Sequence, residues 1–160
     1  MLRAVLIAAA LVATPAAAKD SLGVFGSWAA FRDPPVPRCY AIAMPAASKA
    51  SRDYAPFATI GTWPRRAVRG QVHFRLSRKV AATAPIILSI GGQRFTLAGG
   101  GGDAWASDRA MDAAIVAAMR SARSMTVSGR DAKGRRFSDR YPLEGAATAM
   151  DAATVGCARR

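Results

Sequence analysis

Gln71-Val-His-Phe-Arg-Leu-Ser77 alternates polar and apolar side chains without a break. On an extended backbone Val72, Phe74 and Leu76 face one way, and Gln71, His73, Arg75 and Ser77 the other. A period of two marks a strand with one face buried and one face wet, as in an antiparallel sheet. The segments on either side carry the same message. Upstream, Phe57 to Trp63 reads as a strand ended by Pro64, and Arg65, Arg66 and Arg69 crowd the turn before Gly70. Cys39 to Met44 is another strand, with Cys39, Ala41 and Ala43 on one face and Tyr40, Ile42 and Met44 on the other. Pro45 to Arg52 reads as a small polar loop. Gly23 to Phe31 reads as one opening strand, broken by the prolines of Asp33-Pro-Pro-Val-Pro37, which remove donors and fix φ.

Downstream, Ile86 to Ile90 and Gln93 to Leu97 flank Gly91-Gly92, a hairpin signal because glycines accept the positive φ of a tight turn. Gly99 to Gly102 reads as a flexible loop. Ser107 or Asp108 can cap a helix running to about Ser121, with an apolar stripe of Met111, Ile115, Ala118, Met119 and Ala122. Ser124 to Arg130 and Arg135 to Leu143 form a second hairpin around Asp131 to Gly134. In it Met125 and Val127 alternate with Ser124, Thr126 and Ser128, and Phe137, Asp139 and Tyr141 alternate with Arg136, Ser138 and Arg140. Gly145 to Val155 reads as a short helix leading to Cys157. The expected fold is mainly β (α+β): an antiparallel β-sandwich-like domain with one mid-chain helix and a short C-terminal helix.

The front of the chain sets the compartment. Arg3, an apolar run of about ten residues from Ala4 to Ala13 and the small residues Ala16-Ala17-Ala18 form the pattern of a cleavable signal peptide over residues 1–18. The run is too short to span a bilayer. Residues 19–160 then form a single mature domain in the periplasm or beyond, long enough for a real core. In an oxidising compartment Cys39 and Cys157, the only two cysteines, read most simply as a disulfide, the alternative being two separate thiols.

The chain carries 23 Lys and Arg against 10 Asp and Glu, a formal charge of +13 that falls to +12 once Arg3 leaves with the signal. Such a field attracts polyanions, which in an envelope are lipopolysaccharide phosphates, anionic lipid heads or acidic polymers. Two clusters stand out as candidate anion-binding sites: Arg65, Arg66 and Arg69 in one turn, and Arg130, Lys133, Arg135, Arg136 and Arg140 around one hairpin. Arginine forks suit phosphate and carboxylate. The competing explanation is compositional, since Ala and Arg abound, Asn is absent and Glu144 is the lone Glu. Export argues against nucleic acid as the partner.

No catalytic constellation emerges. His73 stands alone on the polar side of its strand and reads as an exposed or hydrogen-bonded bystander. There is no G-x-S-x-G and no H-E-x-x-H, and a zinc site lacks ligands. Gly99 to Ala104 fits a relaxed dinucleotide pattern in the wrong context, and Gly129 to Gly134 has the P-loop spacing but Arg135-Arg136 where Lys-Ser/Thr belongs. Asp103, Asp108 and Asp112 lie close in sequence, with Asp108 as the cap and the other two as solvated surface. No cofactor and no metal are expected.

Met111 to Met119, Ser124-Met-Thr-Val-Ser-Gly129, Gly134, and Tyr141-Pro-Leu-Glu-Gly145 to Met150 resemble the invasion-associated locus B family of exported bacterial proteins. Phe25-Gly-Ser-Trp28 resembles that family's opening Gly-x-Trp segment. The resemblance implies a β-sandwich-like exported protein without known enzymatic activity. Members of the family tend to carry further cysteines, including a recurrent one in a strand-rich middle. With only Cys39 and Cys157 here, the resemblance carries over no second bridge. Three functions are therefore expected in competition. The first is a non-enzymatic envelope protein that binds an anionic envelope component, or an envelope or host protein, through Arg-rich loops. The second is an envelope hydrolase or its accessory using two of Asp103, Asp108, Asp112 and Asp139. The third is a module that recognises or inhibits one protein by an exposed strand edge.

Overall fold

A computed structural model describes residues 18–158. The expected signal peptide falls, but for Ala18, outside the described residues, as do Arg159 and Arg160. In chain order the elements are β1 (Asp20–Phe25), β2 (Trp28–Asp33), β3 (Arg38–Ala43), β4 (Phe57–Trp63), β5 (Val68–Val80), β6 (Ile86–Ile90), β7 (Gln93–Trp105), α1 (Arg109–Ser121), β8 (Ser124–Arg130), β9 (Arg136–Pro142) and α2 (Ala146–Ala158). The strands pair antiparallel in the order β1-β2-β3-β4-β5-β7-β6-β8-β9.

Two long strands let this sheet fold onto itself. The first part of β7, Gln93 to Leu97, pairs with β6, and its last part pairs with β5 through His73↔Trp105 and Arg75↔Asp103. Beyond Arg75 the β5–β7 register shifts, and Val80 pairs with Gly101. β9 thereby returns to β5. The Ser77 N–H donates to Asp139 Oδ2 at 2.9 Å, and the Phe74 and Tyr141 rings lie 5.9 Å apart. The result is β-sandwich-like, with Val72, Phe74 and Leu76 of the alternating stretch fully buried beside Leu88, Ile90, Met125, Val127 and Tyr141.

The helices close the inner face. Asp108 caps α1 by accepting the Met111 N–H at 2.8 Å, which satisfies one of the orphan donors of the first turn. Ile115, Ala118 and Met119 of its stripe are buried, with Met111 and Ala122 packed at the margin. α2 buries Ala146, Ala149, Met150 and Ala153 among Ala30, Cys39, Ala41, Ala43 and Ala58 of β2 to β4. Alanine against alanine lets a helix lie close to a sheet. That proximity brings Cys157 to Cys39, and the two form a disulfide with Cα atoms 5.8 Å apart and 118 residues of separation.

Two local expectations are corrected. Gly23 to Phe31 is two strands, β1 and β2, turned at Gly26 and Ser27, where Gly26 takes a φ of +54°. Gly99 to Gly102 is part of β7, and Gly102 is buried where the Tyr54 ring covers its Cα. Four glycines suggest flexibility in a chain read one residue at a time; here they admit a strand packed under an aromatic ring. The β1–β2 turn also explains two of the recognisable motifs. Trp28 Nε1 donates to the Pro142 carbonyl at 2.9 Å and the Ser27 N–H to the Glu144 carbonyl at 3.2 Å. Gly145, at φ +82°, leaves room for the Phe25 carbonyl that a Cβ would strike. Phe25-Gly-Ser-Trp28 and Tyr141-Pro-Leu-Glu-Gly145 are two sides of one packed junction.

Candidate anion-binding site

Most of the chain's ten carboxylates are spent within the structure. Asp20 pairs with Arg32, Asp33 with Arg38, Asp53 with Arg78, Asp103 with Arg75, Asp131 with Arg78 and Arg135, and Asp151 with Arg120. Asp108, Asp112 and Asp139 accept backbone N–H groups of Met111, Val72 and Ser77. Asp131 is the most heavily used. Burial opposes its charge, but the backbone and side chain of Arg135, the Lys133 N–H and the Arg78 guanidinium outweigh that and hold its pKa down at about 2. It ties β5 to the β8–β9 turn.

The outer face of β6, β8 and β9 has a different composition. Ile87, Ser128 and Ser138 are aligned across the three strands, as are Ser89, Thr126 and Arg140. Arg130 stands opposite Arg136 in the hairpin, and Arg94 opposite Ser89 on the other flank. Arg94, Arg130 and Arg136 line one groove of about 630 Å³ with the hydroxyl residues Ser128 and Ser138, and Phe137 forms part of its wall. None of these three arginines meets a carboxylate among the described residues. Arg130 is braced by donation to the Gly134 carbonyl at 2.9 Å. Guanidinium forks beside hydroxyl donors are chemistry suited to phosphate or carboxylate oxygens.

A family model described as the invasion associated locus B (IalB) protein matches residues 33–154. The chain belongs to the invasion associated locus B family. Neither a curated protein nor a solved structure matches it. The match runs from the end of β2 into α2, so it takes in the hairpin that carries Arg130 and Arg136.

Within this IalB-family fold the two arginine clusters read from sequence occupy different places. Arg65 and Arg66 are exposed in a single 3₁₀ turn, Pro64–Arg66, closed by Ala67 at φ +51°. Arg69 is the second residue of β5 and lines a cleft of about 240 Å³ beside Cys157 at the end of α2. In the hairpin cluster, Arg135 is committed to Asp131, Arg140 reaches Ser124 Oγ at 3.4 Å, and Lys133 is exposed at the turn. Only Arg130 and Arg136 of that cluster join the groove. Arg94 was not singled out from sequence, because the β6–β7 and β6–β8 pairings that bring it there are not local. The alternation of Ser124, Thr126, Ser128 with that of Arg136, Ser138, Arg140 was the available signal.

The four aspartates considered for acid chemistry are each engaged separately. Asp103 is not bare surface. It accepts from Arg75 Nη1 at 2.5 Å and lies 3.0 Å from His73 Nε2. Asp112 is likewise not simply solvated, since it accepts the Val72 N–H at 2.8 Å. Its pKa is raised, by desolvation first and by neighbouring Asp108, against the hydrogen bond that lowers it. Asp108 caps α1, and Asp139 is buried on Ser77. His73 is hydrogen-bonded through Asp103 and its ring stacks on Trp105, with centroids 5.1 Å apart. Among the described residues no group of three or more His, Cys, Asp or Glu side chains is placed to hold a metal ion. No described helix is long and apolar enough to cross a membrane.

Proposed function

We propose that this member of the family is an exported, non-enzymatic envelope protein that binds an anionic partner through the outer face of β6, β8 and β9. The observation that carries the reading is the groove holding Arg94, Arg130 and Arg136, three guanidiniums without a carboxylate among the described residues, beside Ser128 and Ser138. Charge-assisted hydrogen bonds to phosphate or carboxylate oxygens are the strong ones, and they supply both affinity and orientation. The disulfide and the signal-like front of the chain support a place outside the cytoplasm. The separate engagement of Asp103, Asp108, Asp112 and Asp139 supports binding over hydrolysis, because an acid pair must share one substrate.

The test is binding to lipopolysaccharide and to a soluble acidic polymer at two ionic strengths. The protein should bind at low salt and weaken as salt rises. An Arg94→Ala, Arg130→Ala, Arg136→Ala variant should bind at least tenfold more weakly, with its unfolding midpoint unchanged. Failure to bind either ligand at low ionic strength overturns the reading, as does unchanged binding by the variant.

A further inference from the structure

The outer face of the other half of the sheet is aromatic. Phe31 and Tyr40 lie with centroids 5.8 Å apart, and Phe57, His73 and Trp105 form a row across β4, β5 and β7 at 5.7 and 5.1 Å. Trp63 lies over Gly61, where a Cβ would strike its ring. The glycine is the seat of the indole. Tyr40, Phe57, Trp63 and His73 line a groove of about 290 Å³ that also includes Ile42 and Thr59. One end is cationic: Lys19 Nζ stands 5.9 Å and the Arg38 guanidinium 4.9 Å from the Tyr40 ring centre. Arg38 is paired with Asp33, while Lys19 has no carboxylate partner among the described residues. Asp103 holds His73 through Nε2, which fixes the ring against Trp105.

We propose that this groove binds an acidic glycan, a short run of pyranose rings stacked on Trp63 and packed against Tyr40, Phe57 and His73, with a carboxylate at Lys19 and Arg38. Three features choose this occupant. On β4 the hydroxyl of Thr59 lies between the rings of Phe57 and Trp63 and faces His73 on β5, which suits a ligand with apolar ring faces and polar edges. Neighbouring strands lie about 4.8 Å apart, a repeat on the order of one sugar unit, so Tyr40, Trp63 and His73 on the successive strands β3, β4 and β5 meet successive units. The volume is that of a small-ligand cleft, of about 300 Å³ and upward, whereas a stable protein partner needs about 800 Å² of surface on each side. The cations and the chain's positive excess supply the complement to the ligand's charge.

The experiment is a tryptophan-fluorescence titration of the disulfide-bonded protein at low ionic strength. The probes are oligogalacturonate, an uncharged gluco-oligosaccharide of the same length, inorganic phosphate and polyglutamate. Oligogalacturonate should change the emission and bind at least tenfold more tightly than each of the other three. Trp63→Ala should weaken it at least tenfold, measured by calorimetry. Gly61→Ala, which drives the indole from its seat, should do the same. Lys19→Ala, a change at an exposed position, should lower the affinity and flatten its salt dependence; it serves if the other variants fold poorly. The Arg94, Arg130 and Arg136 variant should bind oligogalacturonate here as the parent does, so this site and the arginine groove fail separately. Absence of oligogalacturonate binding overturns the proposal, as does binding indifferent to both Trp63 and Lys19. Equal binding of phosphate reduces the site to bare charge, and equal Trp63-dependent binding of polyglutamate assigns the face to an acidic protein; either result overturns it.

Discussion

In the β1–β4 half, the sheet is held to α2 by alanine against alanine and by one sulfur bridge. In the β6–β8–β9 half, it is held to β5 by two buried carboxylates, Asp131 on Arg78 and Asp139 on the Ser77 N–H. The outer faces differ in the same sense, rings on the first half and hydroxyls with arginines on the second. An apolar and covalent clamp is indifferent to pH and exposed to reductant. The clamp at Asp131 is the reverse. The molecule therefore contains two closures that answer to different solution variables, joined by the long strands β5 and β7.

The largest test of that contrast is to open the sulfur bridge. Closing a loop of 118 residues removes so much freedom from the unfolded chain that replacing Cys39 and Cys157 with serine should cost about 4 to 5 kcal/mol. Urea unfolding with and without reductant measures it, and the reduced parent should match the double variant. A loss under about 1 kcal/mol would mean that the alanine interface alone holds this half.

Acid addresses the other closure. Asp131 titrates at about 2 in the folded protein, below the roughly 3.9 of an unfolded Asp. A depressed pKa gives stability that is present above the unfolded value and lost as pH falls from about 4 towards 2. The Asp131→Asn variant should be less stable than the parent at pH 7 and should lack that part of the acid loss. Unfolding midpoints from pH 7 down to 2 check both points, and parallel curves for parent and variant would remove Asp131 from the account.

The smallest effect lies at the joint between the halves. Asp112 on α1 accepts from Val72 on β5, and its pKa is raised, chiefly by desolvation. The sign is opposite to that of Asp131. Its contribution is fully present below the unfolded pKa and is lost as pH rises through the raised value. Asp112→Asn keeps an acceptor for the Val72 N–H and removes that dependence. Stability at pH 7 should change by no more than about 0.5 kcal/mol, with a flatter profile as pH rises above the roughly 3.9 of an unfolded Asp.

What could be read from the chain was whatever depends on near neighbours. The alternation of Gln71 to Ser77 gave the central strand, Gly91-Gly92 the hairpin, and Asp108 with its apolar stripe the first helix, because cap, turn and period are local chemistry. Gly23 to Phe31 misled because the turn at Gly26 is closed from outside, by Glu144 and Gly145 far along the chain. The arginine groove was half legible. Arg130 and Arg136 face each other across a hairpin visible in sequence, but Arg94 joins them through two further pairings. The aromatic face was not legible at all. Tyr40, Trp63, His73 and Trp105 come from four strands and meet only once the register is set.

The bond between Cys39 and Cys157 also governs how the chain must be made. During synthesis Cys39 emerges 118 residues ahead of its mate, and the sequence holds no third cysteine to occupy it meanwhile. Any premature liaison of that sulfur is therefore with another molecule. Crowding during production therefore favours bonds between molecules, and dilution favours the bond within one.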